Sequence, residues 1–116
     1  TYISKGETRF LDVLGIPLEN RQYRIPNTNY RADGIDFSTS PPTIYEFDGD
    51  FWHGNPARFD PSAIHPKLDG ETTFGDLYEE TLRRADVLTS LGYKVVRIWE
   101  SELEEFLEEY EHETNK

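Results

Sequence analysis

The beginning of the chain carries the apolar spacing of an amphipathic helix. The apolar positions that fall on one helix face are Phe10, Leu11 and Leu14. Ser4 and Glu7 stand three residues apart and have the arrangement of a capping box. Gly15 followed by Pro17 is typical of a helix end. The pattern therefore predicts a short helix that begins after Ser4 and ends before Gly15.

An alternation of polar and apolar residues follows and predicts three β-strands. The strands are predicted at residues 21–25, 30–37 and 43–48. Residues 26–29 and 38–42 separate them and are rich in asparagine, serine, threonine and proline, which are turn formers. Short turns join antiparallel neighbours, so the three strands are predicted to form a meander.

A long irregular segment precedes the next predicted helix. Residues 55–71 contain three prolines and a glycine and are predicted to be a loop, which in a compact domain is usually functional or mobile. Thr73 with Asp76 can cap a helix that Gly92 ends. The inward positions of this helix are predicted to be Leu77, Tyr78, Leu82, Ala85, Leu88 and Leu91.

The chain is predicted to close with a strand and an acidic helix. Residues 93–99 form a nearly continuous apolar run, typical of a buried strand. Ser101 with Glu104 has the spacing of another capping box. The inward side of that helix is predicted to be Leu103, Phe106, Leu107 and Tyr110. The order α-β-β-β-α-β-α predicts an α/β fold with a mixed sheet, in one domain that spans residues 1–116.

Composition restricts the classes of function. The chain has no cysteine, which excludes disulfides and thiolate metal sites. It has no apolar stretch of about 20 residues and no signal-peptide pattern, so an intracellular protein without a membrane partner is expected. The chain begins at Thr1 and contains no methionine, which predicts a fragment of a longer protein.

The net charge of −11 argues against unaided binding of nucleic acid. Twelve basic residues face 23 acidic ones, whereas DNA binding relies on Lys and Arg that neutralise phosphates. Two explanations are open. The acidity is local, since residues 101–113 contain seven glutamates and no basic residue, or the surface belongs to a salt-adapted source.

Carboxylates on the second and third predicted strands are candidate metal ligands. Asp33 lies near the middle of the second strand, with Asp36 as the alternative. Glu46 and Asp48 share one face of the third strand, where the backbone carbonyl of Phe47 is a further oxygen donor. Oxygen donors on adjacent strands suit Mg²⁺ or Mn²⁺. The alternatives are a turn or edge aspartate for Asp33, and a solvated face at a sheet edge for Glu46 and Asp48.

His53 is the candidate for proton transfer. It follows Phe51 and Trp52, whose burial is predicted to fix the ring, and it precedes Gly54. A histidine in this setting can act as general base or as general acid. A packed or surface histidine is the alternative, and His65 and the last histidine, at position 112, are predicted to be ordinary surface residues.

Three further acids have structural explanations that compete with a catalytic one. Glu7 fits the capping box, and Asp76 and Glu80 suit the positive end of the second helix. Arg83 and Arg84 on the same helix can contact phosphate or pair with neighbouring glutamates. From the residues alone, these roles stay open.

The motifs together resemble a group of nucleases. The αβββαβ order resembles the PD-(D/E)XK fold, and residues 51–54 (Phe-Trp-His-Gly) resemble the very short patch repair (Vsr) endonucleases, as do residues 91–100. The opening at residues 4–7 and the stretch at residues 49–56 are similar to the EDxHD homing endonucleases, a Vsr-like group found in phage introns. The resemblance covers nearly the whole chain.

The resemblance implies roles for individual residues. Glu7 matches the glutamate of the family's N-terminal helix, Asp33 matches its metal-binding aspartate, and His53 matches its histidine. The position that offers a metal its backbone carbonyl falls on Phe47. The last acid of the pattern aligns with Thr81, so the resemblance requires Asp76 or Glu80 to substitute for it.

The resemblance also implies an activity. It predicts a metal-dependent DNA endonuclease that hydrolyses phosphodiester bonds with Mg²⁺ or Mn²⁺, in the host cell of a phage or virus. The expected partners are double-stranded DNA, a second copy of the chain if both strands are cut, and a DNA-recognition module elsewhere in the parent chain. No structural zinc is expected, since the zinc of Vsr enzymes needs cysteine. The alternatives are a non-catalytic nuclease-like domain for binding or assembly, and another PD-(D/E)XK activity of restriction or resolution type.

Overall fold

The computed structural model describes residues 2–114 as a four-stranded sheet with helices packed on it. The strands are β1 (Arg21–Arg24), β2 (Arg31–Asp36), β3 (Thr43–Asp48) and β4 (Lys94–Trp99). The helices are α1 (Lys5–Val13), α2 (Asp50–His53), α3 (Phe74–Ser90) and α4 (Leu103–Thr114). Short 3-10 turns lie at Leu18–Asn20 and Glu100–Glu102. The predicted element order is confirmed, with α2 as an additional single-turn helix.

The sheet is mixed, in the order β1-β2-β3-β4. The first three strands are antiparallel neighbours, with Gly34 opposite Tyr45 between β2 and β3, which confirms the meander. Strand β4 runs parallel to β3 and places Val96 opposite Tyr45. A parallel neighbour needs a crossover connection, and the chain from α2 through α3 supplies it.

Two apolar cores lie on opposite faces of the sheet. One packs α1 and α4 against β3 and contains Phe10, Leu11, Ile16, Phe47 and Leu103. The other packs α3 against the sheet and contains Ile25, Ala32, Ile35, Ile44 and Leu88. Side chains alternate along β3, so Glu46 and Asp48 lie on the face that α3 covers.

The predicted capping box is complete at the start of α3 and half formed at the start of α1. The Ser4 hydroxyl accepts from the Glu7 amide at 3.1 Å, while the Glu7 side chain bonds elsewhere. At α3 both bonds of the box are present, from Asp76 N–H to Thr73 Oγ1 at 3.0 Å and from Thr73 N–H to Asp76 Oδ2 at 2.9 Å. The N-terminal ends of α1 and α3 are therefore fixed by local side chains, as expected.

The C-terminal region differs from the prediction at two places. Strand β4 is half-buried rather than fully buried, because it is the edge of the sheet among the described residues. The capping box predicted at Ser101 and Glu104 is absent: Glu104 pairs with Arg9 at 2.7 Å, and Glu102 instead accepts from the backbone N–H of Trp99.

Helix α3 buries a narrower stripe than its apolar pattern predicts. Leu82 and Leu91 are 41% and 49% exposed, since they lie outside the side that faces the sheet. Leu88 is buried as predicted, and so is Thr81, which the apolar pattern did not predict. Within the described part of the chain, none of the helices combines the length and the apolar character needed to cross a bilayer.

Candidate functional site

An open cleft of about 440 Å³ lies at the C-terminal end of β3. It brings together most of the predicted site residues from four separate elements. These are Glu7 of α1, Asp33 of β2, Glu46, Phe47 and Asp48 of β3, and His53 of α2. Arg84 of α3 also lines the cleft.

Asp33 and Glu46 lie side by side where β2 and β3 separate. Regular pairing of the two strands ends at Gly34 and Tyr45. Beyond that pair the Asp33 carboxylate accepts from the Phe47 N–H at 2.8 Å, and Glu46 Oε2 lies 3.3 Å from the Asp33 N–H. The side chains thus take over the hydrogen bonds of the strand ladder, which fixes both carboxylates at the cleft.

Burial and mutual repulsion raise the pKa values of these two acids. Burial, followed by the charges of Glu46 and Glu7, raises the pKa of Asp33 to about 8. Burial also raises the pKa of Glu46, although the guanidinium of Arg84 opposes it. A cation placed between these groups would relieve the repulsion, because it favours the ionised forms of both.

Glu7 reaches the cleft from α1 and is held by Gln22. The Gln22 side-chain amide donates to Glu7 Oε2 at 2.9 Å and lies 3.5 Å from Asp33 Oδ1. Gln22 has a φ of 51°, a left-handed backbone that a residue with a side chain adopts at a cost. Burial is the largest of the causes that raise the pKa of Glu7. Gln22 was not predicted as a site residue, since a glutamine in an alternating strand has no distinguishing signal.

Among the described residues, Arg84 is the arginine that lines the cleft. Its guanidinium donates to Glu46 Oε1 at 2.7 Å and to the backbone carbonyl of Arg31, and it lies 4.9 Å from the ring centre of Tyr30. Contact with phosphate and pairing with a glutamate were both open for this arginine. The structure shows pairing, and the partner is Glu46 on β3 and not a glutamate on the same helix. The i, i+3 pair is formed by Arg83 and Glu80 instead.

Asp48 is held by β4. Its Oδ2 forms an ion pair with Arg97 Nε at 3.0 Å, and Arg97 donates a hydrogen bond to the backbone carbonyl of Thr81 at 3.0 Å. Burial raises the pKa of Asp48 to about 6, against the opposing charge of Arg97. Arg97 therefore ties β3, β4 and α3 together beside the cleft.

His53 stands between α3 and β3. Its Nδ1 lies 3.2 Å from the Thr81 hydroxyl, and its Nε2 lies 4.0 Å from Asp48 Oδ1. The following Gly54 has a φ of 67°, and a Cβ there would lie 2.0 Å from the Phe74 carbonyl oxygen, so only glycine lets α2 approach α3 this closely. Burial lowers the pKa of His53 and favours the neutral imidazole.

A buried acid anchors the helix that carries His53. Asp50 is 7% exposed and accepts three hydrogen bonds. They come from the Asn55 side chain at 2.6 Å, the Ser101 hydroxyl at 2.9 Å and the Ser101 N–H at 3.1 Å. These bonds join α2 to the turn after β4 and so fix the position of the imidazole.

An aromatic cluster supports α2 from the other side and corrects two expectations. The centre of the Phe51 ring lies 4.1 Å from the centre of the His65 ring and 5.9 Å from that of the Phe74 ring. His65 was expected at the surface, yet it is 1% exposed, because this cluster and the loop close over it. Trp52 was expected to be buried, yet it is 54% exposed at the edge of the cleft.

Three predicted support residues lie outside the cleft. Asp36 is at the opposite end of β2, paired with Thr43 at the start of β3, and it bonds Ser38. Asp76 caps α3, and Glu80 forms its exposed pair on that helix. Thr81, which the resemblance aligned with the last acid of the nuclease pattern, contacts His53.

The donor chemistry of the cleft suits a hard divalent cation. No three Asp, Glu or His side chains within residues 2–114 form a ready metal cage. Asp33 and Glu46 nonetheless place two carboxylates next to each other, and Phe47 lines the same cleft. Mg²⁺ is commonly bound by one or two carboxylates with water and substrate phosphate, so the residues present fit Mg²⁺ or Mn²⁺.

Comparisons of the chain with models of protein families, with curated proteins and with solved structures found no match.

Proposed function

We propose that this chain is a metal-dependent DNA endonuclease that hydrolyses phosphodiester bonds, of the Vsr-like PD-(D/E)XK type. One observation carries the proposal. Glu7, Asp33, Glu46 and His53 are distant in sequence but line one cleft, where acids with raised pKa values face an imidazole that burial keeps neutral. Groups with pKa values displaced in this way are typical of catalytic sites.

The residues divide into those that hold a metal and those that move a proton. Asp33, Glu46 and the Phe47 carbonyl would hold Mg²⁺ or Mn²⁺. When bound, such an ion supplies positive charge that stabilises the charge developing on the phosphate. His53 transfers the proton, and Glu7 orients the attacking water.

The reaction balances with these groups. The oxygen of a water molecule forms a bond to phosphorus as the bond from phosphorus to the leaving deoxyribose oxygen breaks. The water gives a proton to the protein, and the leaving oxygen takes one from solvent. Glu7 lies on the same cleft as His53 and accepts a hydrogen bond from the water, which orients its lone pair toward phosphorus.

The fold is compatible with the resemblance. A three-stranded meander with a parallel fourth strand, flanked by helices, is the arrangement that the resemblance implies. On this proposal the substrate is double-stranded DNA, and two copies of the chain act together where both strands are cut. A recognition module elsewhere in the parent chain supplies the target sequence.

Plasmid nicking tests the proposal. The protein and three variants are incubated with supercoiled plasmid in Mg²⁺, with EDTA as the blank. Asp33→Ala and His53→Ala should lose activity by roughly a hundredfold or more. Asp36→Ala is the matched control, because Asp36 is on the same strand but outside the cleft, and it should nick like the wild type. Equal activity in all four proteins would sink the assignment.

The competing function is a non-catalytic nuclease-like domain that serves in binding or assembly. The ion pair between Arg84 and Glu46 favours it, since the arginine already neutralises a proposed metal ligand. Calorimetric titration with Mn²⁺ separates the two: no binding at millimolar metal supports the non-catalytic domain. Cleavage mapping on duplex, nicked and branched DNA would distinguish the other PD-(D/E)XK activities.

A further inference from the structure

The hydroxyl of Thr81 contacts the ring of His53 and also a backbone carbonyl of its own helix. A threonine hydroxyl has one proton to donate. Thr81 Oγ1 lies 3.0 Å from the carbonyl oxygen of Leu77, which can only accept, so the hydroxyl proton is used there. The contact of 3.2 Å with His53 Nδ1 then requires the imidazole to donate. In neutral His53 the proton is therefore on Nδ1, and Nε2 is unprotonated.

The environment of Nε2 agrees with this assignment. Its nearest acidic partner is Asp48 Oδ1 at 4.0 Å, which is beyond hydrogen-bond distance. Arg97 holds the other oxygen of that carboxylate at 3.0 Å. Asp48 therefore does not draw a proton onto Nε2, and the lone pair of this nitrogen is free at the cleft.

We propose that Thr81 is a positioning residue that fixes neutral His53 as the Nδ1–H tautomer, so that Nε2 is the base that takes the proton of the attacking water. The catalytic part of this inference rests on the proposed endonuclease function. It decides between the two roles that the sequence leaves open for His53, since a neutral imidazole with a free Nε2 is a base and not an acid.

Thr81 is well placed for this role. Its side chain is buried, with the residue 6% exposed, so water does not compete for the hydroxyl. The bond from Arg97 to its backbone carbonyl fixes this turn of α3 against β4. Removing the hydroxyl leaves that bond in place, and valine has nearly the same shape, so the contact can be tested with little disturbance.

The Thr81 hydroxyl is an uncharged acceptor, so the basicity of the His53 imidazole is set by the other groups around it. The charged groups that act on the His53 ring are Glu46 and Asp48 on β3, Arg84 on α3 and Arg97 on β4. Glu7, Asp33 and Glu100 line the same cleft from α1, β2 and the turn after β4. A carboxylate in place of the Thr81 hydroxyl would add a negative charge against Nδ1 and favour the imidazolium. Threonine orients the ring without that charge, so the base stays active to lower pH.

Nuclear magnetic resonance tests the tautomer without reference to activity. Long-range ¹H–¹⁵N spectra of histidine-labelled protein, recorded above the titration of His53, report which ring nitrogen is protonated; His53→Gln assigns the signal. The wild type and Thr81→Ser should show Nδ1–H, and Thr81→Val should shift toward Nε2–H. An Nε2–H wild type, or a Thr81→Val spectrum identical to the wild type, would overturn the proposal.

Nicking rates test the catalytic consequence in the same variants. Thr81→Val should slow the rate at the pH plateau about five- to tenfold, the effect of one lost orienting hydrogen bond, while Thr81→Ser stays near the wild type. Thr81→Asp should move the acidic limb of the pH–rate profile to higher pH, whereas a purely structural role of Thr81 would leave its position unchanged. Equal rates and profiles in all variants of an active enzyme would overturn the catalytic role. An inactive wild type with the expected tautomer would instead refute the endonuclease and support the tautomer.

Discussion

Replacing Asp50 with alanine should loosen the helix that carries His53. The carboxylate is buried and accepts three hydrogen bonds, one from Asn55 and two from Ser101. At a net contribution of about 1 kcal/mol each, their loss would cost about 3 kcal/mol. The amide of Asn55 is 4% exposed and would lose its partner away from water, which adds to this cost. For a chain of this size the loss is equivalent to a fall of roughly 10–15 °C in Tm.

Urea unfolding followed by circular dichroism measures this loss. Ser101→Ala is the control, because it removes one of the three bonds at an exposed residue and should cost under about 1 kcal/mol. Asp50→Asn keeps an acceptor oxygen and should fall between the two. If Asp50→Ala cost no more than Ser101→Ala, the anchoring role of Asp50 would be refuted.

Two further predictions concern the cleft. The folded-state pKa of Asp33 is about 8, above its unfolded value, so its ionisation reduces stability progressively as pH rises from about 4 to 8. Asp33→Asn lacks this charge, so its free energy of unfolding should rise relative to that of the wild type as the pH increases. Measured in urea, the difference between the two proteins should be about 2 to 4 kcal/mol larger at pH 8 than at pH 5. A difference that does not change with pH would contradict the raised pKa. Gln22 has a φ of 51°, so Gln22→Gly should be more stable than Gln22→Ala by about 1 kcal/mol, although both lose the bond to Glu7. The reverse order would show that the left-handed backbone carries no strain.

Local patterns predicted the elements well, since each rests on neighbouring residues. Strand β3 was predicted at its observed bounds, and α3 begins at the predicted cap of Thr73 with Asp76. Glu46 and Asp48 were expected on one face of β3, and the structure places both at the cleft. These features follow from spacing along the chain, which the sequence states directly.

The partners of the site residues could not be predicted, because they are distant in sequence. Thr81 is 28 residues from His53, and Arg84 is 38 residues from Glu46. Which residues of α3 face β3 depends on how the helix packs on the sheet, and its apolar stripe alone gave the wrong inner edge at Leu82. The same packing leaves Arg83 exposed on the helix and brings Arg84 to the buried acid Glu46.

The charge of the chain bears on how the cleft would meet DNA. Residues 101–113 carry seven glutamates and no basic residue, so they account for −7 of the net charge of −11, and none of them lines the cleft. The described lining of the cleft itself is nevertheless acidic, with five acids and one arginine: Glu7, Asp33, Glu46, Asp48, Glu100 and Arg84. A phosphate can approach such a surface only when cations offset the carboxylates.

Binding of DNA should therefore depend on a divalent cation. Fluorescence anisotropy of a labelled duplex at low salt should give binding in Ca²⁺, an ion that prefers oxygen ligands, that is stronger than in EDTA by roughly tenfold or more. Asp33→Asn should reduce this difference, because it removes a proposed ligand. Asp36→Asn makes the same change of charge on the same strand outside the cleft and should not. Equal affinity in Ca²⁺ and EDTA would show that DNA binds elsewhere on the chain and that the acidic cleft is not where phosphate is held.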